Sequence, residues 1–192
     1  MRVIAGRLGG RRLRAPAGRT TRPTSERVRE AVFSMLGDIA GAHVLDLFAG
    51  TGALGIEALS RGAGSAVFVE RDRDAAHVLE ENLAALGLAD ESTELRRQDA
   101  LAALEDARGR GETYDLVFID PPYGRVRPTS RAAGAPSAER WGAQLSASLP
   151  SLLAPGARVV LESDRRAPVE LELVLERTRR YGDTSITIHR QQ

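Results

Sequence analysis

The chain contains no cysteine and no lysine. Without cysteine, disulfides, thiolate metal sites and cysteine nucleophiles are excluded, and a cytoplasmic setting is expected. Without lysine, all 27 basic residues are arginine. So uniform a choice points to genome base composition rather than to bidentate recognition. No apolar run approaches the ~20 residues of a membrane-spanning helix. The opening stretch "MRVIAGRLGGRRLRAPAGR" lacks an apolar h-region, so no secretory signal is expected.

What remains is a chain of 192 residues, 42% hydrophobic, long enough for one domain with a real core. Its net charge of +1 conceals an asymmetry. Residues 1–29 carry nine arginines against the single acid Glu26, a net +8, whereas residues 30–192 carry −7. A basic arm on an acidic body suggests a polyanionic partner.

Residues 1–23, rich in Gly, Pro and Arg with recurring apolar residues, read as an extended, hairpin-like arm. A helix is expected in "TSERVREAVFSMLG", capped by Thr24 or Ser25 and ended by Gly37. Apolar strands then alternate with helices. Strands are expected in "HVLDLF", "SAVFVE", "TELRRQ", "YDLVFID" and "ARVVLES". Helices fall in "GALGIEALSRG", "RDAAHVLEENLAALG", "ALAALEDARG" and, starting at Trp141, "WGAQLSASLPSLLAPG". "ELELVLERTRRYG" and "TSITIH" read as a closing pair, with room for antiparallel pairing at one sheet edge. The alternation predicts a doubly wound, mostly parallel seven-stranded α/β sheet. The division expected is a basic arm and helix over residues 1–38 and a main domain over 39–192. Residues 125–140, "RVRPTSRAAGAPSAER", read as a long flexible loop.

"VLDLFAGTGALG" passes from strand to helix through Gly50, Gly52 and Gly55, a turn that lets a ligand approach the backbone. Glu70 ends the next strand, placed to accept ribose hydroxyl protons. The spacing also fits the dinucleotide fingerprint. Against NAD stands Asp46, inside the strand, which would repel a pyrophosphate and welcome a cation. Asp99 is placed to accept from an adenine amine, to cap the following helix, or both.

The fourth strand ends in "IDPPYG". In a doubly wound sheet its carboxyl end faces the ligand crevice. Each proline fixes φ and removes an N–H, and each residue before proline is pushed to an extended conformation. Asp120-Pro121-Pro122 is therefore a stiff, acceptor-only surface. An exocyclic base amine, whose lone pair is delocalised, could donate both protons to Asp120 and the Pro121 carbonyl. Tyr123 would stack on the base. The alternative is a plain rigid turn.

"DPPY" together with "LDLFAGTGALG" resembles amino-methyltransferases of exocyclic nitrogen. With "RVIAGRLGGRRLRAP", "TRPTSERVREAVFSML", "VFVERD" and "RRYGDTSITIH", nearly the whole chain resembles the RsmD family of bacterial 16S rRNA guanine-N2 methyltransferases. The resemblance implies a Rossmann-like methyltransferase fold, S-adenosylmethionine as donor and 16S rRNA, within the 30S particle or an assembly intermediate, as acceptor. It implies catalysis by Asp120, Pro121, Pro122 and Tyr123. It places the donor among Asp46, Phe48, Ala49, Gly50, Thr51, Gly52, Glu70, Arg71, Asp99, Ala100 and Asp120. RNA contacts are expected from Arg2, Arg7, Arg11, Arg12, Arg14, Arg19, Arg22, Thr24 and Arg27. A monomer without metal is expected. His43, His77 and His189 show no metal-ligand spacing. Trp141 is expected to pack, and no serine-nucleophile elbow is present. Competing possibilities are a methylase of DNA adenine or protein glutamine, a non-catalytic ribosome assembly factor, and an NAD oxidoreductase.

Overall fold

In the computed structural model the described residues are 1–15, 26–121 and 137–191. The chain runs α1 (Glu26–Leu36), β1 (His43–Asp46), α2 (Ala53–Ser60), β2 (Ser65–Val69), α3 (Arg73–Leu86), β3 (Thr93–Arg96), α4 (Ala100–Gly109), β4 (Tyr114–Ile119), α5 (Ala138–Ser148), β5 (Leu153–Asp164), β6 (Val174–Tyr181) and β7 (Thr184–Arg190). The strands form one sheet in the order β3-β2-β1-β4-β5-β7-β6. The first five are parallel, and β7 runs antiparallel to both β5 and β6. The expected antiparallel edge is therefore present. Chain order reverses between β1 and β4, which makes the crevice beyond their carboxyl ends the natural ligand site.

The near-continuous apolar character of β1 and β4 follows from burial on both faces. Val44, Leu116 and Phe118 enter one core with α1, α2 and α3, where Phe33 meets Phe118 at a ring separation of 5.6 Å. Leu45, Val117 and Ile119 enter a second core with α4 and α5.

Residues 1–15 are docked on the first core. Val3, Leu8 and Leu13 are buried there. Each such burial contributes roughly 1.5–3 kcal/mol, which offsets the ordering of a glycine-rich segment. An antiparallel bridge between Arg2 and Arg12 closes the expected hairpin-like arm. The Arg7 N–H donates to the Ser60 carbonyl (2.8 Å), the Leu8 N–H to Ser60 Oγ (3.0 Å), and Ser60 Oγ to the Ala5 carbonyl (2.5 Å). Gly6 is required here: its φ is +81° and a Cβ would stand 1.9 Å from the Ser60 oxygen. The N–H groups of Ile4 and Ala5 donate to the buried carboxylate of Glu57 at 2.7 and 3.1 Å.

Three boundaries depart from the sequence expectation. The fifth helix starts at Ala138 rather than Trp141, because Ser137 caps it by accepting from the Arg140 N–H at 3.2 Å. Residues 137–140 thus leave the expected loop. The strand expected from Ala157 begins at Leu153, which pairs with Tyr114 across a bulge. The strand expected from Glu170 begins at Val174. Residues just before it pack on α5: the Glu172 N–H donates to Ser146 Oγ, and a Cβ on Gly142 would meet the Glu170 carbonyl. Pro122, Tyr123, Arg19, Arg22, Thr24, Ser25 and the remainder of the 125–140 loop lie outside the described residues.

Candidate active site

The glycine turn is held between its two neighbouring strands. The Leu47 N–H donates to the Phe118 carbonyl of β4 and the Ala49 N–H to the Val69 carbonyl of β2, each at 3.0 Å. The turn therefore lies across the carboxyl ends of β2, β1 and β4. Gly50 and Gly52 have φ of +55° and +80°. A Cβ at Gly50 would meet nothing within 4 Å, so its requirement is purely one of backbone conformation. A Cβ at Gly52 would strike Leu79, and one at Gly55 would strike Phe68 at 2.3 Å. Those two glycines serve close packing.

Two of the expected ligand carboxylates also build this turn. Asp46, buried at the end of β1, accepts from the Gly55 N–H at 3.0 Å. It thereby satisfies one of the orphan donors in the first turn of α2, whose N-cap Gly52 has no side chain to do so. Burial pushes the Asp46 carboxyl up to about 7; the Gly55 bond opposes that rise and the neighbouring Glu70 charge adds to it. Glu70 accepts from the Gly50 N–H (2.9 Å) and the Asp72 N–H (2.7 Å). Asp99 caps α4 through the Leu101 N–H (3.0 Å) and meets Arg71 at 3.4 Å. The capping role expected of Asp99 is present.

Phe48 is partly buried and stacks edge-on against Trp141, ring centroids 5.2 Å apart. Trp141 packs, as expected. Ala49 and Ala100 bury their methyls in the two cores, so what they can offer a ligand is backbone. Asp120 follows directly on β4, half-buried, with Pro121 buried behind it. The structure thus brings Asp46, Glu70, Asp120 and the glycine turn to one rim of the sheet. Two of the described arm arginines lie over α3: Arg14 pairs with Glu81 (3.0 Å) and Arg11 donates to the Ala85 carbonyl (2.9 Å). Arg27 is exposed on α1, and Arg2 reaches Glu26 at its start (3.1 Å).

Asn82 is a functional candidate that sequence reasoning passed over. Buried on α3, it accepts from the Arg14 N–H (2.8 Å) and donates to the Arg14 carbonyl (3.2 Å) and the Thr51 carbonyl (3.0 Å). One amide thereby ties the basic arm to the glycine turn. Its signal was a polar side chain on the apolar stripe of Leu79, Leu83 and Leu86.

No group of three or more potential metal ligands occurs among the described residues. The histidines are scattered: His43 meets Ser65, His77 meets Glu81 and His189 meets Thr187. No helix among the described residues is long and apolar enough to cross a membrane. A hollow of about 340 Å³, lined by Asp38, Asp115 and Arg158 among others, opens at the amino ends of β1 and β4. It is on the far side of the sheet from the glycine turn and plays no part in this site.

The sequence profile of the family described as "Conserved hypothetical protein 95" matches residues 1–190. The chain belongs to this family. It is 37% identical to the "Putative rRNA methyltransferase YlbH" of Bacillus subtilis (strain 168), with all of both chains covered. It is 40% identical to "Ribosomal RNA small subunit methyltransferase D" of Escherichia coli (strain K12), over 65% of this chain and 61% of that protein's length. Among solved structures, "Putative methyltransferase yhhF" from Escherichia coli superposes with a TM-score of 0.77 at 32% identity, covering 100% of this chain and 98% of that one. The Thermus thermophilus "16S rRNA N2 G1207 methyltransferase (RsmC) in complex with AdoMet and Guanosine" shares the fold: TM-score 0.65, 22% identity, 92% of this chain and 44% of that one. The architecture is that of the Rossmann-like methyltransferases.

Proposed function

We propose that this chain transfers a methyl group from S-adenosylmethionine to the exocyclic N2 of a guanine in 16S rRNA. Its substrate is the small-subunit particle or an assembly intermediate, and it acts as a cytoplasmic monomer without metal. The observation that carries the reading is the placement of Asp120 and Pro121 at the tip of β4, adjoining the glycine turn at the β1–β4 switch point. Membership of a family whose full-length relative bears an rRNA methyltransferase name supports the substrate class.

The residues present fit the donor. A buried carboxylate with a pKa raised to about 7 is matched by a cationic ligand rather than a phosphate. Asp46 would face the charged portion, Glu70 the ribose, Asp99 the adenine amine, and the backbone of residues 48–52 the body of the ligand. When bound, S-adenosylmethionine supplies a methyl activated by its sulfonium. Asp120 and the Pro121 carbonyl accept the two N–H groups of the guanine amine, which localises the nitrogen lone pair and orients it. Tyr123, outside the described residues, would stack on the base, worth ~1–3 kcal/mol. As the new N–C bond forms and the methyl–sulfur bond breaks, leaving S-adenosylhomocysteine, Asp120 or water would take the proton lost from the amine. Positioning and preorganised acceptors supply most of the rate gain.

The test is transfer of labelled methyl to 16S rRNA, free and in 30S particles, followed by mass mapping of the modified nucleotide. Asp120→Ala is expected to lower turnover at least about a hundredfold while donor binding persists. Label on adenine, on DNA or on protein instead of guanine N2 would refute the assignment.

A further inference from the structure

Strand β6 is an edge strand whose residues 174–180 are exposed, presenting both faces to solvent. It carries Arg177, Arg179 and Arg180, none of which has an ion-pair partner among the described residues. Some exposed arginines elsewhere do have acids in reach, as Arg166 does with Asp183 (3.6 Å) and Arg110 with Glu112 (3.4 Å), whereas others such as Arg27 and Arg108 have none among the described residues; what sets β6 apart is the density of the cluster. Three guanidinium groups within four residues, beside the single acid Glu176, leave a net positive local field that an outside anion can complement.

Register places this cluster relative to the catalytic tip. Ile119 aligns with Leu161 of β5, which aligns with Thr187 of β7, which aligns with Thr178 of β6. The next row runs Glu162, Ile186, Arg179, level with Asp120 at the end of β4. Three strand spacings of ~4.8 Å put the Arg179 backbone about 14 Å from that of Asp120. Arg177 aligns with Ile188 and Arg179 with Ile186, both members of the first core, so these two arginines share the sheet face that carries α1 and the arm. Two residues apart on one face, they stand about 7 Å from each other, a spacing suited to successive phosphates of a single strand. Arg180 points to the opposite face.

We infer that β6 is a second phosphate-binding track for the substrate RNA, flanking Asp120 on the side away from the arm. This rests on rRNA being the substrate. The arm sits over α2 and α3, with Arg2 reaching the start of α1, and β6 forms the far edge of the sheet, so an RNA segment presenting its base at Asp120 meets cations on both sides. The unpaired charges favour RNA over a second protein copy. A copy adding a strand at this edge would bring like charges together.

The experiment compares the full chain with R177Q/R179Q/R180Q, the substitutions lying on a solvent-exposed strand. RNA affinity is measured across 50–300 mM salt with deproteinised 16S rRNA and with purified 30S particles, together with donor affinity and oligomeric state. The expected result, in at least one of the two RNA arms, is an affinity about tenfold or more weaker at low salt. The salt slope there should be reduced by about 2–3, roughly one for each phosphate no longer neutralised. Donor affinity should stay within twofold. An unchanged affinity and slope in both arms would overturn the inference, as would a change in oligomeric state without a change in RNA affinity. Because RNA binding is read directly, its failure is distinct from failure of the methylation assay with the unaltered protein, which would overturn the proposed function itself.

Discussion

Replacing Asp46 by asparagine separates what this residue does for the fold from what it does for a ligand. Its carboxyl is held at about 7, against 3.8 in an unstructured chain, chiefly by burial. Between those values the folded protein keeps a proton that the unfolded chain has lost. Stability therefore falls as pH rises from about 4 to about 7 and is flat above. At 1.36 kcal/mol per pKa unit the full loss is about 4 kcal/mol. An asparagine at this position would retain an oxygen to accept from the Gly55 N–H and would carry no charge to bury. D46N should thus be more stable than the parent at neutral pH, with the advantage growing by about 2–3 kcal/mol from pH 5 to pH 8. Urea denaturation at the two pH values reads this directly. The same variant should bind S-adenosylmethionine about tenfold or more weakly in calorimetry at pH 8, since a charge-assisted contact is worth ~1.5–3 kcal/mol. A stability difference independent of pH, or a D46N protein less stable at pH 8, would refute the reasoning.

Asn82→Ala removes three hydrogen bonds at once and should cost about 2–3 kcal/mol of stability in urea. It should also speed amide hydrogen exchange at Arg14 and raise the donor dissociation constant, because Thr51 loses its tether. Glu57→Gln removes the ion-pair partner of Arg61 (2.7 Å) and one of the two acids, with Glu26, whose charge supports Arg29, a fully buried guanidinium whose Nε and Nη1 have no hydrogen-bond partner among the described residues and whose pKa is lowered by burial. The expected loss is about 3 kcal/mol. E57Q/R29M should recover part of it in the same denaturation assay.

The parts of the fold that show in the sequence are those set by local chemistry. Alternating apolar strands and amphipathic helices gave the sheet, and Gly50–Gly55 marked the strand-to-helix turn. Boundaries failed where a distant partner decided them, as when residues before Val174 packed on α5 instead of joining β6. At the site, the positions of Asp46, Glu70 and Asp120 were readable, because a carboxylate at an apolar strand end is costly without a partner. That Asp46 and Glu70 accept from Gly55 and Gly50 was not, since only the folded turn aims those N–H groups at them. Asn82, Arg29 and Glu57 were each visible as polar residues on buried helix stripes. Their partners lie as far away as 68 residues in sequence, beyond any local pattern.

Those three residues also explain why the arm is more than a charged tail. Glu57 holds the backbone of residues 4–5, Arg29 donates to the Arg2 carbonyl (2.6 Å), and Asn82 holds Arg14. Each is buried, and each directs its polar atoms to arm backbone rather than to solvent. An arm fixed at three points by buried groups presents its arginines from defined positions, which lowers the ordering entropy lost when a polyanion binds. Asn82 adds a direct link, because the amide that grips Arg14 also grips Thr51 of the glycine turn. The arm and the turn therefore share one buried contact, and any coupling carried through it acts equally in both directions.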